Sequence, residues 1–89
     1  MNIETVVFSL APGAAEDDVL SLNDRYQEAV AYQTPGMLRR TVARGDDGEW
    51  IEVLLWADDA DRVMKGDPDV RTSWEAATVE SSRRTWRGL

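Results

Sequence analysis

The sequence contains no cysteine and no histidine. The first absence excludes disulfides and thiol chemistry, and together they remove the usual ligands of structural zinc and haem iron. They also remove the commonest acid–base side chain at neutral pH, leaving proton transfer to a carboxylate, a tyrosine or water. Long apolar runs are missing as well. The longest, Val53 to Ala57, falls far short of the ~20 residues needed to cross a bilayer. Basic residues are the minority, ten against seventeen acidic ones, and the net charge of −7 repels nucleic-acid phosphates and anionic lipid heads. Neither nucleic acid nor membrane is expected as a partner. The opening Met1-Asn2-Ile3-Glu4-Thr5 carries an acidic residue and no basic one, unlike a signal peptide, so a cytoplasmic location is expected. No phosphate-binding loop, nucleophile elbow, internal repeat or low-complexity segment is present.

What remains is a chain of 89 residues, enough for one domain over 1–89 and no second core. A chain this short buries only about 60–65% of the surface it exposes when unfolded, and small domains usually rely on disulfides, metals or a partner subunit. With the first two unavailable, self-association is the expected support.

Thr5 to Leu10 is apolar and β-branched and stops at Ala11-Pro12-Gly13, which reads as a first strand. Glu16, Asp17 and Asp18 then suit a helix N-terminus, and Val19, Leu22, Tyr26, Ala29 and Val30 recur at helical spacing to about Gln33, before Thr34-Pro35-Gly36. Met37 to Ala43 and Trp50 to Trp56 form strands around Gly45-Asp46-Asp47-Gly48, a hairpin turn. Asp58 or Asp59 is placed to cap a short helix through Met64, broken at Gly66-Asp67-Pro68. A second helical piece covers Asp69 to Ala77, and Thr78 to Arg87 alternates as a fourth strand. The order β-α-β-β-α-β predicts an α+β, ferredoxin-like four-stranded antiparallel sheet with helices on one face.

Both sides of that sheet are apolar. The third strand divides into Ile51, Val53 and Leu55 against Trp50, Glu52, Leu54 and Trp56, and the first into Val6, Phe8 and Leu10 against Thr5, Val7 and Ser9. Helices cover one face only, so either a second copy covers the other or a monomer leaves it loosely exposed; the expectation is a homodimer with sheets face to face.

Several short motifs are similar to those of a known family. Pro35-Gly36-Met37-Leu38-Arg39-Arg40, Asp47-Gly48-Glu49-Trp50, Leu55-Trp56 and the Asp58 to Asp61 stretch with Ala60 resemble the dimeric α/β-barrel superfamily, and within it the antibiotic biosynthesis monooxygenase type. The resemblance implies a dimeric α/β barrel with a pocket between helices and sheet. It further implies, for some members, oxidation of anthrone-type aromatic polyketides to quinones by dioxygen without metal, flavin or other cofactor. Haem-degrading members use a histidine that this sequence lacks.

Such chemistry needs an apolar cavity, donors for a phenolate and a proton acceptor. Helical geometry places Asn23 beside Val19 and Tyr26, either to hold a ligand oxygen next to the Tyr26 ring and hydroxyl, or at the stripe's edge against backbone or solvent. Glu52, between Trp50 and Leu54, is either the proton acceptor or the partner of Arg39, Arg40 or Arg84 in a cross-strand ion pair. Asn23 and Glu52 are thus the catalytic candidates. Trp56 and Trp74 offer planes for an aromatic ligand or simply pack, Met64 suits an adaptable lid, and Arg40 is taken as the arginine of its pair that faces the pocket. Arg83, Arg84 and Arg87 are expected to bridge the acidic surface or a second subunit. Asp58, Asp59 and Asp61 read as helix-start carboxylates, with no metal assigned. Two further functions fit the same pocket: a cyclase or isomerase, and a non-catalytic dimeric small-molecule-binding or accessory protein.

Overall fold

Alternation and turn chemistry decide the strands. In the computed structural model, which describes all 89 residues, β1 spans Asn2–Leu10, α1 Glu16–Ala29, β2 Met37–Arg44, β3 Trp50–Trp56, α2 Pro68–Ala77 and β4 Thr78–Arg87. The sheet order is β2-β3-β1-β4 with every neighbouring pair antiparallel. This is an α+β fold of ferredoxin-like size, with two helices packed on one face of a four-stranded sheet. No helix is long and apolar enough to cross a membrane.

The β2–β3 turn closes through Gly45 N–H donating to the Glu49 carbonyl (2.7 Å), while the Asp47 carboxylate accepts from Glu49 N–H (3.1 Å). α2 begins on a side-chain cap: Asp67 Oδ1 accepts from the N–H groups of Asp69 (2.9 Å) and Val70 (3.2 Å), with Pro68 at the first helical position. α1 has no side-chain cap and relies on Glu16, Asp17 and Asp18 in its first turn. It ends at Ala29 rather than near Gln33, because the chain tightens into a 3-10 turn, Ala31–Gln33, and Thr34 Oγ1 donates back to the Val30 carbonyl (2.7 Å).

The short helix expected from Asp58 to Met64 does not form. Asp58 and Asp59 make a turn, and residues 60–67 run as an irregular strap across the α1–β2 connection. Contacts outside the segment fix it: Ala57 N–H donates to the Gly36 carbonyl (2.8 Å), Lys65 N–H to Thr34 Oγ1 (2.9 Å) and Asp67 N–H to the Ala29 carbonyl (3.0 Å). Two glycines permit this approach. A Cβ on Gly36 (φ +85°) would stand 2.5 Å from Ala60 Cβ, and one on Gly66 (φ +87°) 2.2 Å from the Ala29 oxygen. Arg62, at φ 59°, turns the strap in the left-handed region and is incompatible with a continuing helix. The carboxylates expected to start that helix serve elsewhere. Asp58 pairs with the N-terminal ammonium (2.5 Å), and Asp61 accepts from Val63 N–H (3.0 Å) and pairs with Lys65 (2.9 Å).

The register assigns the two sheet faces. Val6 and Phe8 of β1 and Trp50, Leu54 and Trp56 of β3 point toward the helices, and Phe8 and Trp50 join Val19, Tyr26, Val70 and Trp74 in one core cluster. On the opposite face Ile3, Thr5, Val7, Ile51, Val53 and Leu55 are half-buried with no helix over them, and Arg84 lies across the ring of Trp86 at 3.9 Å.

Candidate functional site

The helix-facing side is not filled by apolar packing alone. Between the sheet, α2 and the strap lies a cavity of about 430 Å3. Alternation supplies its floor, because Glu4, Val6 and Phe8 of β1 and Glu52, Leu54 and Trp56 of β3 share one face. β4 adds Thr78, Glu80 and Arg83; α1 adds Tyr26; α2 adds Arg71, Trp74 and Glu75; and the strap closes one end with Arg62, Val63 and Met64. Aromatic rings form a continuous wall: Tyr26 and Trp74 lie 5.3 Å apart, and Trp74 meets Phe8 edge-on at 5.6 Å.

Two carboxylates are built into the floor, each with its own arginine. Glu52 Oε2 accepts from Arg40 Nε at 2.6 Å, and the Arg40 side chain has no solvent exposure. Arg40 Nη1 donates to Asn23 Oδ1 (2.8 Å) and Gln27 Oε1 (2.7 Å), and its guanidinium carbon sits 4.6 Å from the Tyr26 ring centre and 5.1 Å from that of Trp74. A buried charge needs such compensation, since transfer from water is otherwise prohibitive. Arg40 Nη2 has no hydrogen-bond partner in the protein; the flanking ring faces meet its charge. At the other pole Glu4 accepts from Trp56 Nε1 (3.1 Å) and from Arg83 Nη1 (2.7 Å), and Arg83 also binds Glu80 (2.6 Å). The hydrogen bonds from Arg83 to Glu80 and then to Glu4 push its pKa further up. Tyr26 is pushed up to about 12, first by burial and then by the charge of Glu52, so at neutral pH it is a phenol able to donate.

Five of the seven residues singled out in the sequence border this cavity: Tyr26, Glu52, Trp56, Met64 and Trp74. Arg40 and Asn23 stand behind it. Asn23, a candidate for holding a ligand oxygen, has its carbonyl engaged by Arg40 and lines a separate, smaller groove beside Glu16, Leu20 and Arg44. Of the partners open to Glu52, Arg40 is the one realised. Trp56 is fully buried and its indole N–H is taken by Glu4, so it serves as a wall rather than an open stacking plate. Arg83 bridges acidic groups as expected, pairing with the exposed Glu80 and, where it borders the cavity, with Glu4. Glu4, Arg71 and Arg83 are site residues that sequence reasoning missed. Beginning the first strand at Thr5 left out Glu4, although its spacing from Val6 and Phe8 marks it as facing the same way.

No three acidic side chains come close enough together to hold a metal ion. The arrangement can surround a flat molecule with aromatic edges, accept hydrogen bonds at Glu4 and Glu52, and donate from Tyr26. No family model, curated protein or solved structure matches the chain.

Proposed function

We propose that the protein binds a flat phenolic compound in this cavity and oxidises it without a cofactor, in the manner of the antibiotic biosynthesis monooxygenases its motifs resemble. The observation carrying this reading is that a carboxylate, Glu52, and a neutral phenol, Tyr26, border the same ring-lined cavity of about 430 Å3. For an anthrone, Glu52 takes one proton from the substrate while Tyr26 donates to the enolate oxygen that develops. The electron-rich ring reduces dioxygen, and the peroxide formed at the methylene carbon takes the proton back from Glu52. Loss of the second C–H proton with cleavage of the O–O bond leaves a carbonyl and one water. Methylene plus O2 thus becomes carbonyl plus H2O, with the four electrons lost by carbon taken by oxygen.

Oxygen uptake with anthrone and chelator-treated protein is the test. The expected result is one O2 per anthrone, with a drop of about 10²-fold or more in Glu52→Gln, the size of a lost acid–base step. A second reading, binding without turnover, is favoured by the 2.6 Å pairing of Glu52 with Arg40, which engages the carboxylate with a buried cation. Ligand binding without oxygen consumption selects it, and turnover without oxygen selects a cyclase or isomerase. The partner proposed is a second copy of the chain, seated on the uncovered sheet face as in a dimeric α/β barrel. Support comes from Ile3, Val7, Ile51, Val53 and Leu55, an apolar set with no helix over it.

A further inference from the structure

Glu4 and Glu52 sit on neighbouring strands, Glu4 opposite Leu54 and Glu52 opposite Val6. They therefore share one face as a diagonal pair, with Cβ atoms about 7–8 Å apart or somewhat less. Both residues are buried, at 8% and 6% exposure, and both border the same cavity. Each is held by its own arginine, Glu52 by Arg40 at 2.6 Å and Glu4 by Arg83 at 2.7 Å. A carboxylate has about four acceptor positions. Glu52 accepts one protein hydrogen bond and Glu4 two, which leaves acceptor capacity on both. One further polar group in the same walls, Arg71 Nε, is buried without a protein partner.

We propose that Glu4 and Glu52 act as a pair that holds two hydroxyl groups of one aromatic ligand, making the substrate class a dihydroxylated polycyclic ring. Charge selects hydroxyl over ammonium. Glu4, Glu52, Glu75 and Glu80 border the cavity beside Arg62, Arg71 and Arg83, and the buried Arg40 stands directly behind Glu52. The acidic and basic groups balance, so a cationic ligand would bring uncompensated charge into a buried site, whereas neutral donors satisfy the open acceptors. The ring lies between the poles along the Tyr26–Trp74–Phe8 wall. Glu4 is then a specificity-determining residue at the pole away from Glu52.

This inference rests on the reading of the cavity as an aromatic-ligand site, and the experiment separates the two. The affinities of 2-naphthol and 2,7-dihydroxynaphthalene are measured by titration calorimetry on the intact protein and on Glu4→Gln. Arg83 keeps Glu80 as a partner in that variant, so the fold is expected to stand. The expected result is binding of both probes, with the diol at least about tenfold tighter, as one added charge-assisted hydrogen bond gives, and with that advantage lost in Glu4→Gln. Equal affinity of the two probes for the unaltered protein overturns the paired-carboxylate proposal and leaves the aromatic site standing. Retention of the diol's advantage in Glu4→Gln overturns the role of Glu4. Failure of both probes to bind overturns the aromatic site and this inference with it.

Discussion

Arg40 carries a guanidinium with no solvent contact and meets it with one carboxylate, two side-chain amide oxygens and two ring faces. Replacing it leaves Glu52 as an uncompensated buried charge. Arg40→Ala should therefore cost about 3–5 kcal/mol, the range for breaking a buried pair from one side. Urea unfolding of a domain this small would show it as a large fall in midpoint, and a loss under 1 kcal/mol would mean that Glu52 is better solvated than its burial implies. Tyr26 gives a pH signature. It is an acid whose folded pKa, about 12, lies above the ordinary value of 10.0. Below pH 10 both folded and unfolded forms are protonated and the contribution of burying the neutral phenol is intact. Between pH 10 and 12 the unfolded chain ionises first, so stability falls by up to about 2–3 kcal/mol as pH rises through that window. Tyr26→Phe should flatten that part of the stability–pH curve, and an unchanged slope would remove Tyr26 as its source.

The turn and strap over residues 57–67 show how far local signals reach at the scale of an element. Asp58, Asp59 and Ala60 look like a helix start, yet hydrogen bonds to Gly36, Thr34 and Ala29 and the Gly36–Ala60 contact hold the segment irregular. Those partners lie more than twenty residues away in sequence, so periodicity could not reveal them. The neighbouring α2 was legible because its cap is local: Asp67, Pro68 and the apolar Val70 and Trp74 define it without outside help. The strap's geometry depends on Gly66. Gly66→Ala places a Cβ 2.2 Å from the Ala29 oxygen at φ +87° and should cost more than about 2 kcal/mol, through left-handed strain and the clash together. Because Met64 and Val63 carry the cavity's end wall, the same variant should weaken ligand binding beyond the loss of stability, a difference visible by calorimetry below the unfolding transition.

At the scale of the whole molecule, the Cα envelope measures 38 × 28 × 15 Å, the flatness of one sheet with helices on one side only. The proposed second copy would turn that half-sandwich into a closed one by burying the face that carries Val53. Val53→Glu puts a charge at the centre of that face without touching the cavity. Native mass spectrometry should report a dimer for the unaltered chain and a monomer for the variant. A monomer in both would show that the face stays open to solvent.

The sequence carries the element order, the hairpin, the second helix and the two-sided apolar pattern of β1 and β3, because each is written in local alternation, capping or turn residues. It also marked Tyr26, Glu52, Trp56, Met64 and Trp74 as worth attention. Which sheet face meets the helices, and with it the entry of Glu52 and Glu4 into a cavity, is set by tertiary packing. The same packing pairs Glu52 with Arg40 from among three arginines. The irregular register between Met37 and Arg39 sets Arg40 opposite Leu54, diagonal to Glu52, and brings its guanidinium inward. A strand's pattern fixes which residues share a face, but the choice between the faces belongs to the helices packed on one of them.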